Sequence, residues 1–527
     1  MKIGSAKNCP LLRSWKKRME PSRQESHSVK LARPTHARSR GPCDRRISHS
    51  VKTAHGMAPM MKRKTRTRGI SLEHRRAPAS RQVRTCNRTS DNFPFDLRAR
   101  SPHTNRPQDR RDTAPRITFR TMSHSEIPGG VTAAQGFQAG SIYCGIKTAN
   151  KSTPDIALIV SNTKTAAAGT FTTNKVKAAP VRVSRLNLRS PDVRAIVANA
   201  GNANACTGVP GLQNAKRMCA ATAKALDLRD PQVLVCSTGR IGVQLPIEKM
   251  EATLAESAQC LSLNGSSAAA RAIMTSDTFP KEFAVEFSAF GKKIRIGGIA
   301  KGAGMIDPNM ATMLCFITTD AAISRSTLQK ALSVSVEQSF NRITIDGDMS
   351  TNDTVLALAN GASGSKPLKY GSKEFKAFQA ALDDVTRELA WMIVKDGEGV
   401  TKFVEVHVHG AASLADARRA AEAIANSTLV KCAWFGEDPN WGRIMDALGY
   451  CGAKLREELV DIYYDGVLAV KGGMLAKTPF EKLREVVKQQ RFTICVDLNL
   501  GRSEHIVYTT DFTMEYVKLN MGDGTGG

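Results

Sequence analysis

The sequence predicts an α/β protein on three observations. Short runs of β-branched and bulky apolar residues, bounded by Gly, Asn and Pro, recur from about residue 127 onward, as strands do. Ala-rich stretches with apolar residues at helical spacing fall between them. No run of about 18 apolar residues occurs, so a membrane span is not expected. A chain of 527 residues can bury one large core or two to three smaller ones.

Residues 1–121 stand apart from this pattern. The formal charge is +28, but residues 1–120 hold 31 Lys+Arg against 8 Asp+Glu, and the remainder holds 45 against 40. The basicity therefore belongs to the front, which is rich in Arg, Ser, Thr and Pro and shows no helical or alternating period. Such a segment cannot bury enough apolar surface to offset its conformational entropy, so disorder is expected. Arg- and Ser-rich, acid-poor extensions are typical of organelle transit regions, and plastid targeting is the favoured reading, with the mitochondrial matrix as the alternative. A basic arm for nucleic acid is the competitor, carried by Met61-Lys62-Arg63-Lys64-Thr65-Arg66-Thr67-Arg68. No aromatic residues interleave that run, so nucleic acid is not the expected partner. A gene start placed too far upstream, with Met122 as an internal start, is the third reading. The chain has 12 Cys and no CxxC pair, which argues against a zinc site and a disulfide framework. With no secretory signal at the front, the chain reads as soluble and intracellular.

In chain order, residues 136–140 read as turn-rich, and 156–160 and 194–199 as strands. A helix is expected over 211–226, then a strand over 232–236 running into Ser237-Thr238-Gly239-Arg240. A strand entering such a small-residue turn can present a hydroxyl and a backbone N–H to a developing negative oxygen. Helices over 247–260 and 267–274 precede Thr275-Ser276-Asp277-Thr278-Phe279-Pro280-Lys281. Residues 282–287 and 293–299 form a hairpin with Gly291 in the turn. The hairpin delivers a glycine-rich, Pro-containing segment and then an apolar run that reads as a buried strand with Thr312 at its first position. After a helix over 326–340, the loop Asp346-Gly347-Asp348-Met349-Ser350-Thr351-Asn352-Asp353 lacks the terminal Glu and spacing of a calcium loop. Its Asp and Asn side chains are expected to orient the site and to cap a helix starting near 354. A long helix over 373–394 leads to Asp396-Gly397-Glu398-Gly399, and a strand over 403–409 places His407 and His409 on one face. An Ala-rich helix over 413–426 follows, Asp438-Pro439-Asn440-Trp441-Gly442-Arg443 opens another, and strands over 460–464 and 492–498 flank a helix over 480–490.

The stretch Lys301-Gly302-Ala303-Gly304-Met305-Ile306-Asp307-Pro308-Asn309-Met310-Ala311-Thr312-Met313-Leu314 resembles the self-cleavage segment of the glutamate N-acetyltransferase / ornithine acetyltransferase family of arginine biosynthesis. Residues 171–181, 199–208 and 438–444 are similar to further family segments, in the same order, and the resemblance covers roughly 127–525. It implies a layered αββα-type sandwich of the ornithine acetyltransferase/aminopeptidase type. It also implies cleavage between Ala311 and Thr312 into an α chain of 122–311 and a β chain of 312–527, two of each forming a heterotetramer. Thr312 is then the nucleophile, Thr238 and Gly239 the oxyanion site, and Thr275, Lys301, Thr312, Glu398, Asn520 and Thr525 the substrate contacts. The implied reaction moves acetyl from N-acetyl-L-ornithine to L-glutamate, with acetyl-CoA a second donor in some members and no cofactor or metal. Arg240 stands where many members carry an apolar residue, and Met521, Gly522 and Gly524 depart from the usual pattern before Thr525.

The residues suit that chemistry. Beyond His124 only His407, His409 and His505 remain, and none sits in a recognisable catalytic motif, so a Ser-His-Asp arrangement is not expected. An N-terminal Thr needs no His, because its own α-amine, with an ordinary pKa near 8, can take and return the hydroxyl proton. The alternative is an N-terminal-threonine amidohydrolase or aminopeptidase on a related fold.

Overall fold

The computed structural model describes residues 124–147, 153–307 and 313–521. The basic front over 1–121, the Ala311–Thr312 pair and Thr525 lie outside the described residues.

Two open sheets organise the chain. Strands β1 (His124–Glu126), β2 (Phe137–Ile142), β3 (Ile156–Phe171), β4 (Val193–Asn202), β5 (Val233–Arg240), β6 (Lys281–Ala289), β7 (Lys292–Lys301), β8 (Leu314–Thr319) and β9 (Thr354–Ala359) build a nine-stranded sheet in the order β1-β6-β7-β8-β9-β3-β4-β5, with β2 beside β3. Strands β10 (Phe403–Ala411), β11 (Asp461–Tyr464), β12 (Val467–Lys471), β13 (Met474–Leu475), β14 (Arg491–Asp497) and β15 (Ser503–Thr510) build a six-stranded sheet in the order β13-β12-β11-β14-β10-β15.

The long strand β3 explains the shape of the larger sheet. Its first half pairs with β2 and β4 and its second half with β9, and the register shifts between Val160 and Thr165. The shift lets one strand serve two half-sheets, and their inner faces share one core: Phe137, Ile159, Ile196 and Leu234 from one half meet Ile299, Leu314, Phe316 and Leu356 from the other. The short helix Ser266–Ala272 contributes Ala269, Ala270 and Ala272 to this core, and longer helices lie on the outer faces. Arg325–Gln338 and Lys373–Lys395 cover the β6-to-β9 half, and Ala179–Asn187, Gly208–Ala225 and Ile247–Leu254 cover the β4–β5 half. The 23-residue helix Lys373–Lys395 has an apolar stripe including Phe378, Leu382, Val385, Leu389 and Ile393, and Ser372 caps its start by accepting the Phe375 N–H.

Several expectations need correction. The loop ending at Asp353 enters strand β9, not a helix: Thr-Val-Leu-Ala-Leu-Ala is buried at every position between β8 and β3, and a six-residue run with no polar face suits a central strand. The segment over 136–140 is a strand after its first residue. Only Gly136 makes a turn, at φ +77°, and Gly140 is a strand glycine because a Cβ there would lie 2.1 Å from the Cys260 carbonyl oxygen. The helix expected over 247–260 is Ile247–Leu254 followed by a 3-10 turn at Ser257–Cys260. The strand expected from 312 begins at Leu314. The hairpin β6–β7 and the placement of His407 and His409 on one face, with ring centroids 5.5 Å apart, agree with expectation.

Candidate active site

Thr238 lies near the end of β5, where the chain is locked against β4. Gly201 and Gly239 are register partners, Gly239 has φ +124°, and a Cβ on it would lie 2.4 Å from the Gly201 carbonyl carbon. Only glycine permits that approach. The turn is also held from the loop before β9, since the Asn352 amide donates to the Ser237 carbonyl at 2.8 Å and the Ala203 carbonyl at 2.7 Å.

Lys301, the last residue of β7, points into the same place. Its Nζ donates to Thr275 Oγ1 at 2.7 Å and Thr238 Oγ1 at 3.4 Å, and stands 3.7 Å from the Asp277 carboxylate. Lys301 is 3% exposed and Thr238 5% exposed. Burial pushes the Lys301 ammonium below the usual lysine range, against the pull of Asp277 and Glu398 and with the push of Lys281. Because both hydroxyl oxygens accept from one ammonium, each hydroxyl proton is left to donate elsewhere.

Behind this group is an ion network. Asp277 Oδ1 accepts from Lys281 Nζ and from the Gly302 N–H, both at 2.7 Å, and Lys281 Nζ reaches Asp396 at 2.5 Å. Asp396 also accepts the Thr278 backbone N–H at 3.0 Å and the Thr278 hydroxyl. Burial opposes ionisation of Asp277, but Lys301, Lys281 and the hydrogen bonds from Lys281 and Gly302 outweigh it and hold the carboxyl well below the ordinary range.

Glu398 and Asn520 form a second polar group. The Asn520 amide donates to Glu398 at 2.8 Å and to the Tyr516 carbonyl at 3.0 Å, from the end of the helix Met514–Asn520. The Glu398 carboxylate lies so close to Gly304 that a Cβ there would be 2.7 Å from it. The two groups therefore flank the stretch that leaves β7.

The loop before β9 holds that stretch at two points. Asp346 accepts the N–H groups of Met305 at 2.6 Å and Ile306 at 2.9 Å, together with the Tyr516 hydroxyl at 3.1 Å. Met305 has φ +56°, a left-handed conformation that these bonds help to hold. Asp353 accepts the Met313 N–H at 2.9 Å, so it grips the residue that follows Thr312. Burial pushes the Asp353 carboxyl well above its ordinary value. Its other oxygen has no hydrogen-bond partner among the described residues, and the nearby Thr172 hydroxyl donates to Ser350.

The structure thus brings together Thr238, Gly239, Thr275 and Lys301, and pairs Glu398 with Asn520. Thr312, Ala311 and Thr525 fall outside the described residues. Sequence reasoning left Asp277, Lys281 and Asp396 without assigned roles in this cluster, whereas Asp353 belongs to the loop whose Asp and Asn side chains are expected to orient the site. The available signal was position: each of the three stands inside or beside a turn segment already singled out for Thr275 or Glu398.

Comparison with known proteins gives this geometry a context. Residues 138–522 match the model of the ArgJ family. The arginine biosynthesis bifunctional protein ArgJ of Symbiobacterium thermophilum is 45% identical over 394 residues, which are 75% of this chain and 98% of that protein. A glutamate N-acetyltransferase of Methanocaldococcus jannaschii is 48% identical over 406 residues, again 75% of this chain and 98% of that protein. Among solved structures, the arginine biosynthesis bifunctional protein of Bacillus halodurans is 38% identical, covering 39% of this chain and 98% of that one, with a TM-score of 0.38. A family match spanning most of the chain, together with relatives this similar over nearly their whole length, shows that the chain belongs to the ArgJ family.

Proposed function

We propose that this protein is an acetyltransferase of arginine biosynthesis that moves acetyl from N-acetyl-L-ornithine to L-glutamate. Self-cleavage between Ala311 and Thr312 frees the Thr312 amine, giving an α part of 122–311 and a β part of 312–527. The observation that carries the reading is the Lys301 ammonium donating at once to Thr275 and Thr238, in a chain so similar to ArgJ proteins over their length.

The reaction runs in two steps. The Thr312 amine takes the proton of its own hydroxyl, whose oxygen attacks the acetyl carbonyl and forms a tetrahedral intermediate. The Thr238 hydroxyl, its oxygen engaged by Lys301, and the Gly239 backbone N–H stabilise the negative oxygen. The amine returns the proton to departing ornithine, leaving an acetyl-Thr312 ester, and glutamate attacks that ester in the reverse sense. Lys301 faces a substrate carboxylate, while Thr275, Glu398, Asn520 and Thr525 position the amino acid. In self-cleavage, the Thr312 hydroxyl oxygen attacks the Ala311 carbonyl, the Ala311–Thr312 C–N bond breaks as the hydroxyl proton passes to the departing Thr312 amine, and water hydrolyses the resulting ester to leave an Ala311 carboxylate and a free Thr312. Asp353 helps to position the cleavage segment through the Met313 N–H.

The wider reading comprises a layered αββα sandwich, supported by the core shared between two half-sheets with helices outside. It also includes a heterotetramer of two α and two β chains, acetyl-CoA as a further co-substrate, no cofactor or metal, and plastid targeting by the basic front. Intact mass spectrometry tests the core of it. The parent protein is expected to split at Thr312 and Thr312→Ala to remain one inactive chain; normal cleavage in that variant refutes the reading. Acetate release independent of glutamate indicates an amidohydrolase instead.

A further inference from the structure

A groove of about 540 Å³ opens beside the Thr238–Gly239 turn, lined by Lys147, Gly201, Asn202, Arg240, Gln244 and Thr275 among others. Thr275 belongs to both places, since its side-chain oxygen accepts from Lys301 while the residue borders the groove. Arg240 is exposed, directly follows Gly239, and forms no ion pair with any described residue. Lys147 reaches the Met274 carbonyl at 2.9 Å, and burial pushes its ammonium down to about 8. Among the described residues no carboxylate lines the groove, and Asp155 and Asp277, outside the lining, pull on the Lys147 ammonium. Glu398, paired with Asn520 and acting on the Lys301 ammonium, does not belong to the groove's lining, so the negative pole lies outside the groove.

This separation of charge favours one kind of ligand. An amino acid whose amine lies toward Glu398 and whose α-carboxylate faces Lys301 has only its side chain left to place. A basic groove accepts an anionic side chain and disfavours an ammonium-bearing one. An arginine at its mouth adds the planar fork that matches a carboxylate.

We propose that this groove is the subsite for the distal carboxylate of a dicarboxylic amino-acid acceptor, with Arg240 as its specificity-determining residue and Lys147 as the second cation. The proposal rests on the acetyl-transfer reading above and adds to it the means by which acceptor and donor are told apart. The groove draws in the side-chain carboxylate of glutamate and repels the side-chain ammonium of ornithine.

Calorimetric titration of the full protein with L-glutamate and L-glutamine tests this without requiring turnover. The two ligands differ in the charge of the distal group and hardly in shape. The parent is expected to bind glutamate about three- to tenfold more tightly at low salt, as suits a partly exposed charge pair. Arg240→Gln is expected to erase that ratio while the glutamine Kd stays within about twofold, and Arg240→Lys to retain most of it. A ratio that survives Arg240→Gln, or an equal weakening of both ligands, overturns the proposal. A parent that moves acetyl to glutamate but shows no preference refutes the groove alone. One that prefers glutamate but moves no acetyl refutes the acetyl-transfer reading alone, and failure of both amino acids to bind refutes both.

Discussion

Lys281 in the nine-stranded sheet and Lys431 in the helix Thr428–Phe435 beside the six-stranded sheet are both almost fully buried, at 0% and 2% exposure. Their surroundings differ. Lys281 meets two carboxylates, Asp277 at 2.7 Å and Asp396 at 2.5 Å. Among the described residues, Lys431 has only uncharged oxygens in contact, including Thr509 Oγ1 at 2.7 Å and the Thr510 carbonyl at 2.6 Å. Burial pushes the Lys431 ammonium down to about 7, against the more distant pull of Asp511 and Asp346. Equal desolvation is thus met by opposite charge in one place and by neutral acceptors in the other. The first arrangement supports Lys301 at the candidate site, and the second joins a helix to β15.

The largest break in this comparison is expected from Lys281→Met. It strands Asp277 and Asp396 in the interior, with Lys301 at 3.7 Å from Asp277 and the more distant Lys147 as remaining ammonium groups, and a loss of about 3–5 kcal/mol is expected in urea denaturation. A loss below about 1 kcal/mol would show that these lysines compensate both carboxylates without Lys281.

Lys301→Met comes next. Asp277 keeps its bond to Lys281, so the fold is expected to survive, while the Thr238 and Thr275 hydroxyls lose their shared donor. Acetyl transfer is expected to slow about 100-fold, and an unchanged kcat would remove Lys301 from the chemistry.

Lys431 gives the smallest effect and one with a defined sign. In the unfolded chain its ammonium persists to the ordinary value near 10.5, whereas the folded chain releases the proton near 7. Between those limits the unfolded state binds more protons, so this group makes stability rise with pH, by about 1.4 kcal/mol per unit at most. Below about 7 both states are protonated and the slope vanishes. Comparing Lys431→Met with the parent at pH 7 and pH 9 isolates the contribution; identical slopes would mean that Lys431 does not titrate as described.

Much of the fold was legible locally. The stripe of the helix over 373–394 recurs every three or four residues, and Gly291 marks the β6–β7 turn, so both elements stand where periodicity puts them. Strand β9 was not legible, because a six-residue apolar run has no period to distinguish strand from helix; its pairing with β8 and β3 settles the matter. The candidate site divides likewise. Thr238, Gly239, Thr275, Lys301, Glu398 and Asn520 are candidates that the resemblance implies, but nothing local joins Lys301 to a hydroxyl 63 residues earlier.

The sequence by itself determined the α/β class, the uneven distribution of charge and which short segments carry reactive or polar groups, because these depend on composition and on neighbours along the chain. Only the tertiary structure decided that Lys301 serves two threonines at once, that Asp277 and Asp396 share Lys281, and that Asp353 grips Met313. Those contacts exist because strand ends and loops distant in sequence converge, where burial removes water and leaves each polar group to be satisfied by whatever the fold brings near.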